Sequence, residues 1–176
     1  MLLAVSLAAL CACGVSAVRA QHGDARAAVE RGSLEEIRYK RAMMLVVGRS
    51  FSVDARAPAE VSDEDVRTAI ETARPRHSLS AYRLIGMKLN GYIRKYHSMT
   101  SVESRDEADF FVVFKIMQER HSLIDGRPIT YGKLFVVTRG AGGEPRLVWE
   151  SKGEMSIDDD AAGEFIRALK QVRGEQ

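Results

Sequence analysis

The stretch "ADFFVVFKIMQ", with an unbroken apolar run from Phe110 to Phe114, constrains this chain more than any other. Successive side chains of a strand point to opposite faces, so such a run has to be buried on both sides. It reads as the central strand of a sheet, leaving the core at Lys115, Gln118 and Glu119.

Other elements arrange themselves around it. "AMMLVVGRSFSV", Ala42 to Val53, is too rich in β-branched and apolar residues for an exposed helix and predicts the first strand. Before it, Ser33 and Glu36 have capping-box spacing and predict a short helical turn. Between Pro58 and Pro75, Ser62 and Asp65 repeat that spacing. Val66, Ala69, Ile70 and Ala73 then make a narrow stripe, which predicts a surface helix in an insertion near residues 54–77.

A stronger helix opens at Ser78 or Ser80, with Tyr82, Ile85, Leu89, Tyr92, Ile93 and Tyr96 at three- and four-residue steps, positioned to cover the sheet. After the central strand, Asp125-Gly126 suits a tight hairpin into "ITYGKLFVVTR", and "GAGGEP" a second reversal into a strand from Arg146 to Met155 that carries Trp149. "SIDDDAAGEFIRALKQVR" closes as a helix with an acidic start, a basic end and a face of Ala162, Phe165, Ile166, Leu169 and Val172. The expected fold is α+β: a mainly antiparallel sheet of about four strands with helices packed on one face, a two-layer sandwich.

Residues 1–20 form a leader. No charged side chain occurs before Arg19, and the apolar core from Leu2 to Leu10 is followed by small residues and a candidate Val18-Arg19-Ala20 cleavage site before Gln21. Within it, "LCAC" has the layout of a lipoprotein processing site with Cys13 as the lipidation candidate, and the run is also just long enough for a marginal membrane span. Secretory cleavage, lipidation and a retained span are three separate readings. Both cysteines, Cys11 and Cys13, lie in the leader, so the remaining chain has no disulfide and no thiol nucleophile. Residues 21–32 read as a polar tether and 33–176 as a single domain, long enough to bury a core. Losing Arg19 with the leader lowers the net charge from +2 to +1, which argues against a nucleic-acid partner.

The segments "RAMMLVV", "YRLIGMKLNGYIRKY", "SRDEADFFVVFKI" and "LVWES", with Ala108 and Asp109 leading into the central strand, resemble small bacterial envelope proteins and lipoproteins similar in layout to TolB amino-terminal-like auxiliary domains. The resemblance spans roughly residues 34 to 172, with the insertion near 54–77 as a departure from the shortest members. It implies a location in the cell envelope, in the periplasm or at the outer membrane, and no catalytic residue.

Individual residues carry mainly structural expectations. Asp109 fixes the turn into the central strand, and Trp149 anchors a sheet. Asp158, Asp159 and Asp160 lack the alternation and glycine of a calcium loop and suit helix capping. His22, His77, His97 and His121 are scattered without zinc spacing. None of Ser78, Ser80, Ser98 and Ser101 sits in a nucleophile elbow, and "GAGGEP" lacks the lysine and hydroxyl of a phosphate loop. Arg83, Lys88, Arg94 and Lys95 form a basic helix face, either solvated or near anionic lipid.

The expected function is therefore that of a noncatalytic exported envelope domain, a protein-interaction or accessory module. It would bind an envelope protein through a sheet edge or the face left uncovered by helices, without cofactor or metal. One alternative is a small-ligand or lipid-binding carrier, which needs a cavity that Tyr82, Tyr92, Phe110 and Phe114 are expected to fill. Another is a hydrolase assembled from Asp109, His121 and Ser151.

Overall fold

A computed structural model describes residues 28–49, 60–75, 79–121, 126, 128–153, 155–156 and 160–176. The strands are β1 (Glu30–Arg31), β2 (Ala42–Arg49), β3 (Thr100–Ser101), β4 (Phe110–His121), β5 (Pro128–Arg139), β6 (Pro145–Glu150) and β7 (Met155–Ser156). The α-helices are α1 (Asp63–Glu71), α2 (Ser80–Tyr96) and α3 (Ala161–Arg173), and Leu34–Ile37 forms one 3-10 turn. The fold is α+β, with sheet order β1-β6-β5-β4-β2-β3 and β7 added to β5.

The four long strands are the expected ones, and β4, β5 and β6 are consecutive antiparallel neighbours. The sheet as a whole is mixed, which corrects the mainly antiparallel expectation. β2 lies parallel to β4, from Met43 opposite Phe110 to Arg49 opposite Ile116. A chain that leaves β2, forms two helices and returns beside it has room for the crossover that parallel pairing needs. Three two-residue strands complete the sheet. One of them, β1, draws Glu30 and Arg31 out of the expected tether and onto β6. The strand expected to reach Met155 breaks after Glu150, where Ser151 hydrogen-bonds through its Oγ to Leu134 N–H and Gly153 carbonyl. Residues 50–53 of the expected first strand lie outside the described residues.

The second correction concerns the layers. Phe110, Val112 and Phe114, with Leu45, Val47, Leu134 and Val136, face α2 and α3 and meet Ile85, Leu89, Phe165 and Leu169. Phe111 and Val113, with Met44, Val46, Phe135 and Val137, face the opposite way and meet Val66 and Ala69 of α1. Helices therefore cover both faces. The apolar run of β4 requires this, because each buried Phe or Val side chain contributes roughly 1.5–3 kcal/mol only when something excludes water above it. α1 is correspondingly no surface helix: Val66 and Ala69 are 1% and 0% exposed.

One irregularity positions Trp149. Val136 opposes Trp149 while Val137 opposes Leu147, so Val148 is an extra residue in β6. The bulge turns both Val148 and Trp149 toward the α3 side, where the indole lies 5.5 Å from the Phe165 ring at 52°.

Candidate functional site

Lys115 is the main departure from the sequence reading on this sheet. Expected to mark the exit of β4 from the core, it is 1% exposed, and its Nζ lies 2.7 Å from Oδ2 of Asp65, itself 0% exposed. Asp65 is placed by the start of α1. Its backbone N–H donates to Ser62 Oγ at 3.2 Å, while its Oδ2 accepts from Ser62 N–H at 2.9 Å and Ser62 Oγ–H at 2.6 Å. The expected capping box is thus present and supplies a buried counter-ion as well. Lys133, directly opposite Lys115 in the β4/β5 register, takes a different carboxylate. Its Nζ is 3.3 Å from Glu150, whose other oxygen is 3.2 Å from Arg31. Two adjacent lysines of like charge thereby tie α1 and β1 to the same sheet face. Among the described residues, Asp65 Oδ1 is buried without a hydrogen-bond partner.

The residues singled out in the sequence are dispersed. Asp109 accepts the N–H groups of Arg41 at 3.0 Å and Ala42 at 2.8 Å through Oδ2, and its own N–H donates to the Ala42 carbonyl, so it joins the starts of β2 and β4. Asp109 precedes β4 and His121 ends it, about 40 Å apart at strand rise, and Ser151 is buried against Leu134 and Gly153. The three do not converge. Asp160 caps α3 through Gly163 N–H, and Lys88 beside it holds its carboxyl below the usual range. His97 ends α2 in the left-handed conformation. Ser80 opens α2, Ser101 lies in β3, and Ser98 touches the Tyr92 hydroxyl at 3.2 Å. "GAGGEP" closes a hairpin, with Gly140 N–H donating to the Glu144 carbonyl at 2.8 Å and Gly143 at φ 87°. Cys13, His22, His77, Ser78, Asp158 and Asp159 lie outside the described residues. Among the described residues, no three of His, Cys, Asp and Glu come together as a metal site, and no helix is long and apolar enough to cross a membrane.

Among the described residues, a sheet margin open to another molecule is the outer side of β3, next to β2. Backbone polar groups alternate sides along a strand. Ala42 accepts from Asp109, just ahead of β4, whereas Arg41 and Met43 accept from Thr100 and Val102 on the opposite side. By this alternation the N–H and C=O groups of Leu45 and Val47 also point away from β4. β3 has ended by then, and among the described residues no strand lies beside them. With their backbone included, however, Leu45 and Val47 are only 3% and 1% exposed, so this stretch of β2 is not open to another molecule. On β3, Thr100 and Val102 donate to β2, so by the same alternation the N–H of Ser101 points outward, on an exposed strand. Next to β2 runs α2, where Lys88 pairs with Asp160, Lys95 lies 4.9 Å over the Tyr96 ring, and Arg83 and Arg94 line a surface groove. The charges of this helix were visible in the sequence. The outer side of β3 was not, because an edge is defined by what fails to pair with it.

No family model matches the chain, and no curated protein matches it. Among solved structures it is similar to a PelC dodecamer from Paraburkholderia phytofirmans, at 9% identity and TM-score 0.35, covering 83% of this chain and 89% of that one. It is also similar to the hypothetical protein CT253 from Chlamydia trachomatis, at 7% identity and TM-score 0.33, covering 66% and 72%.

Two measurements follow from the polar contacts. Lys115→Met strands Asp65 in the core and should lower unfolding free energy by about 3–5 kcal/mol in urea titrations. Adding Asp65→Leu should recover much of that loss. A single variant within about 0.5 kcal/mol of the parent would show that the pair does not hold α1. The second measurement concerns Tyr92, whose hydroxyl donates to the Glu175 carboxylate; burial and then that hydrogen bond push it up to about 12 from 10.0. Between those values the unfolded chain releases a proton that the folded chain keeps, so this contribution is intact below pH 10 and stability falls as pH rises toward 12. Urea midpoints across that window should fall less steeply in Tyr92→Phe, and parallel curves would contradict the assignment.

Proposed function

We propose that this chain is a noncatalytic accessory domain of the bacterial cell envelope, exported behind its leader, which holds another envelope protein by strand pairing along the outer side of β3. The observation that carries the reading is the exposed β3 margin, where the Ser101 N–H points away from β2 and among the described residues no strand lies beside it. An unpaired strand edge is a ready template for an extended segment of another chain. Export is supported by the uncharged run before Arg19 and by the resemblance to envelope proteins and lipoproteins.

The alternative of a ligand carrier has less support. The space between the sheet and its α2/α3 layer is occupied by Phe110, Phe114, Leu89, Leu134 and Phe165, each 0% exposed. Binding through an uncovered sheet face also loses its basis, because α1 lies over that face.

Proline at position 101 provides the test. The Ser101 N–H points to the outer edge, so Ser101→Pro removes a donor to a partner without removing one to β2. Capture from envelope extracts should recover a saturable partner with the parent protein and lose it with Ser101→Pro, once circular dichroism and an unfolding curve show the variant folded. An identical set of captured proteins for both would rule out pairing at this edge.

A further inference from the structure

Three arginines from distant parts of the chain line one surface pocket of about 380 Å3. Arg38 and Arg41 lie between the 3-10 turn and β2, and Arg173 is the last residue of α3. Ser98, where α2 gives way to β3, adds a third segment to the lining. Hydrogen bonds hold these segments together. Arg173 donates to the carbonyls of Ser98 at 3.1 Å, Ile37 at 3.1 Å and Lys40 at 2.6 Å, and Arg41 donates to that of His97 at 3.1 Å. The pocket is therefore built on ordered elements, and it is reachable from solvent: Arg38, Tyr39 and Arg41 are all exposed.

The carbonyl acceptors fix the guanidinium groups without neutralising them. Among the described residues neither Arg41 nor Arg173 is paired with a carboxylate, and Arg38 has only Glu35 at 3.6 Å, an exposed pair of the kind that holds weakly. Glu175 is the one carboxylate in the lining, and it already accepts from the Tyr92 hydroxyl. Three positive charges thus meet one negative charge, and an anion is the ligand such a surplus favours. A planar carboxylate is satisfied by a single guanidinium fork, whereas a tetrahedral phosphate group offers oxygens in several directions to arginines that approach from separate segments. The pocket also carries an aromatic ring. Tyr39 is 84% exposed, with the Arg38 guanidinium 5.3 Å from its centroid, and offers an apolar surface to whatever the phosphate is attached to.

We propose that this pocket binds an organic phosphate: Arg38 and Arg41 hold the phosphate group in the field of Arg173, and the organic part lies against Tyr39. The site is on the surface, outside the filled space between the sheet and its helices, and it does not require strand pairing at β3. The same chemistry is offered by a soluble phosphate ester and by the headgroup of an anionic lipid, and the exposure of Tyr39 admits either.

Thermal unfolding of the full-length protein in glycerol phosphate, inorganic phosphate or acetate at equal ionic strength tests the site, because an anion that binds only the folded chain raises the midpoint. The midpoint should rise most with glycerol phosphate, less with inorganic phosphate and not with acetate. Arg38→Gln/Arg41→Gln should bind glycerol phosphate at least tenfold more weakly, while Arg83→Gln/Arg94→Gln, which removes the same charge from α2, should respond as the parent does. Arg38→Gln alone, whose side chain ties no other segment among the described residues, should already weaken binding severalfold and guards against misfolding of the double variant. Tyr39→Ala should reduce the response to glycerol phosphate to that seen with inorganic phosphate. Sedimentation with vesicles of phosphatidylglycerol and phosphatidylcholine separates the two sources. The leader contributes equally to parent and variant, so weaker binding of Arg38→Gln/Arg41→Gln to these vesicles identifies a lipid headgroup, and equal binding a soluble ester. Equal responses of the parent and Arg38→Gln/Arg41→Gln to glycerol phosphate, a rise with acetate as large as with phosphate, or no response to either phosphate would overturn the proposal.

Discussion

Five apolar residues in a row on one strand cannot be satisfied by a sheet with a single covered face. Phe110, Val112 and Phe114 need one layer, Phe111 and Val113 need another, and all five are 0% exposed. α2 and α3 provide the first layer and α1 the second. The position of β4 follows from the same requirement. A strand buried on both faces belongs inside the sheet, with β5 antiparallel on one side and β2 parallel on the other. The less apolar strands are left to the margins.

α1 has only nine residues and a stripe of small side chains, so its apolar area alone is a modest hold on the sheet. The Lys115–Asp65 pair supplies a second one. A buried pair adds little over a well-packed apolar substitute, but once its parts are in the core, separating them is costly. α1 is therefore bound to one place and one register. The same separation of roles recurs at the opposite end of β4, where Asp109 gathers two N–H groups of the chain entering β2. One carboxylate sets the helix and the other sets the neighbouring strand.

How much of this could be read in the sequence depends on the range of each interaction. The four long strands, the three helices and the Ser62–Asp65 box are local patterns of three to twelve residues and were legible. So was the role of Asp109, since a carboxylate just before a buried strand has few other uses. Lys115 was misread because charge ordinarily marks the end of a core segment. Its partner lies 50 residues earlier, and no periodicity links them. The one-sided sandwich had a contradiction within the sequence itself: a strand buried on both faces already implied a second layer, and the only unassigned helix was the one with Val66 and Ala69. β1, β3 and β7 are too short to show alternation. The place of β3 at the sheet margin arises from the spatial order of strands, which the sequence does not spell out residue by residue.

The central claim is that α1 is part of the core that β4 requires. Native-state hydrogen exchange under increasing denaturant measures this directly. The amides of Val66 to Ile70 in α1 should lose protection in the same cooperative opening as those of Phe111 to Phe114 in β4. Exchange of the α1 amides through an independent, lower-energy opening, with β4 still protected, would contradict the account.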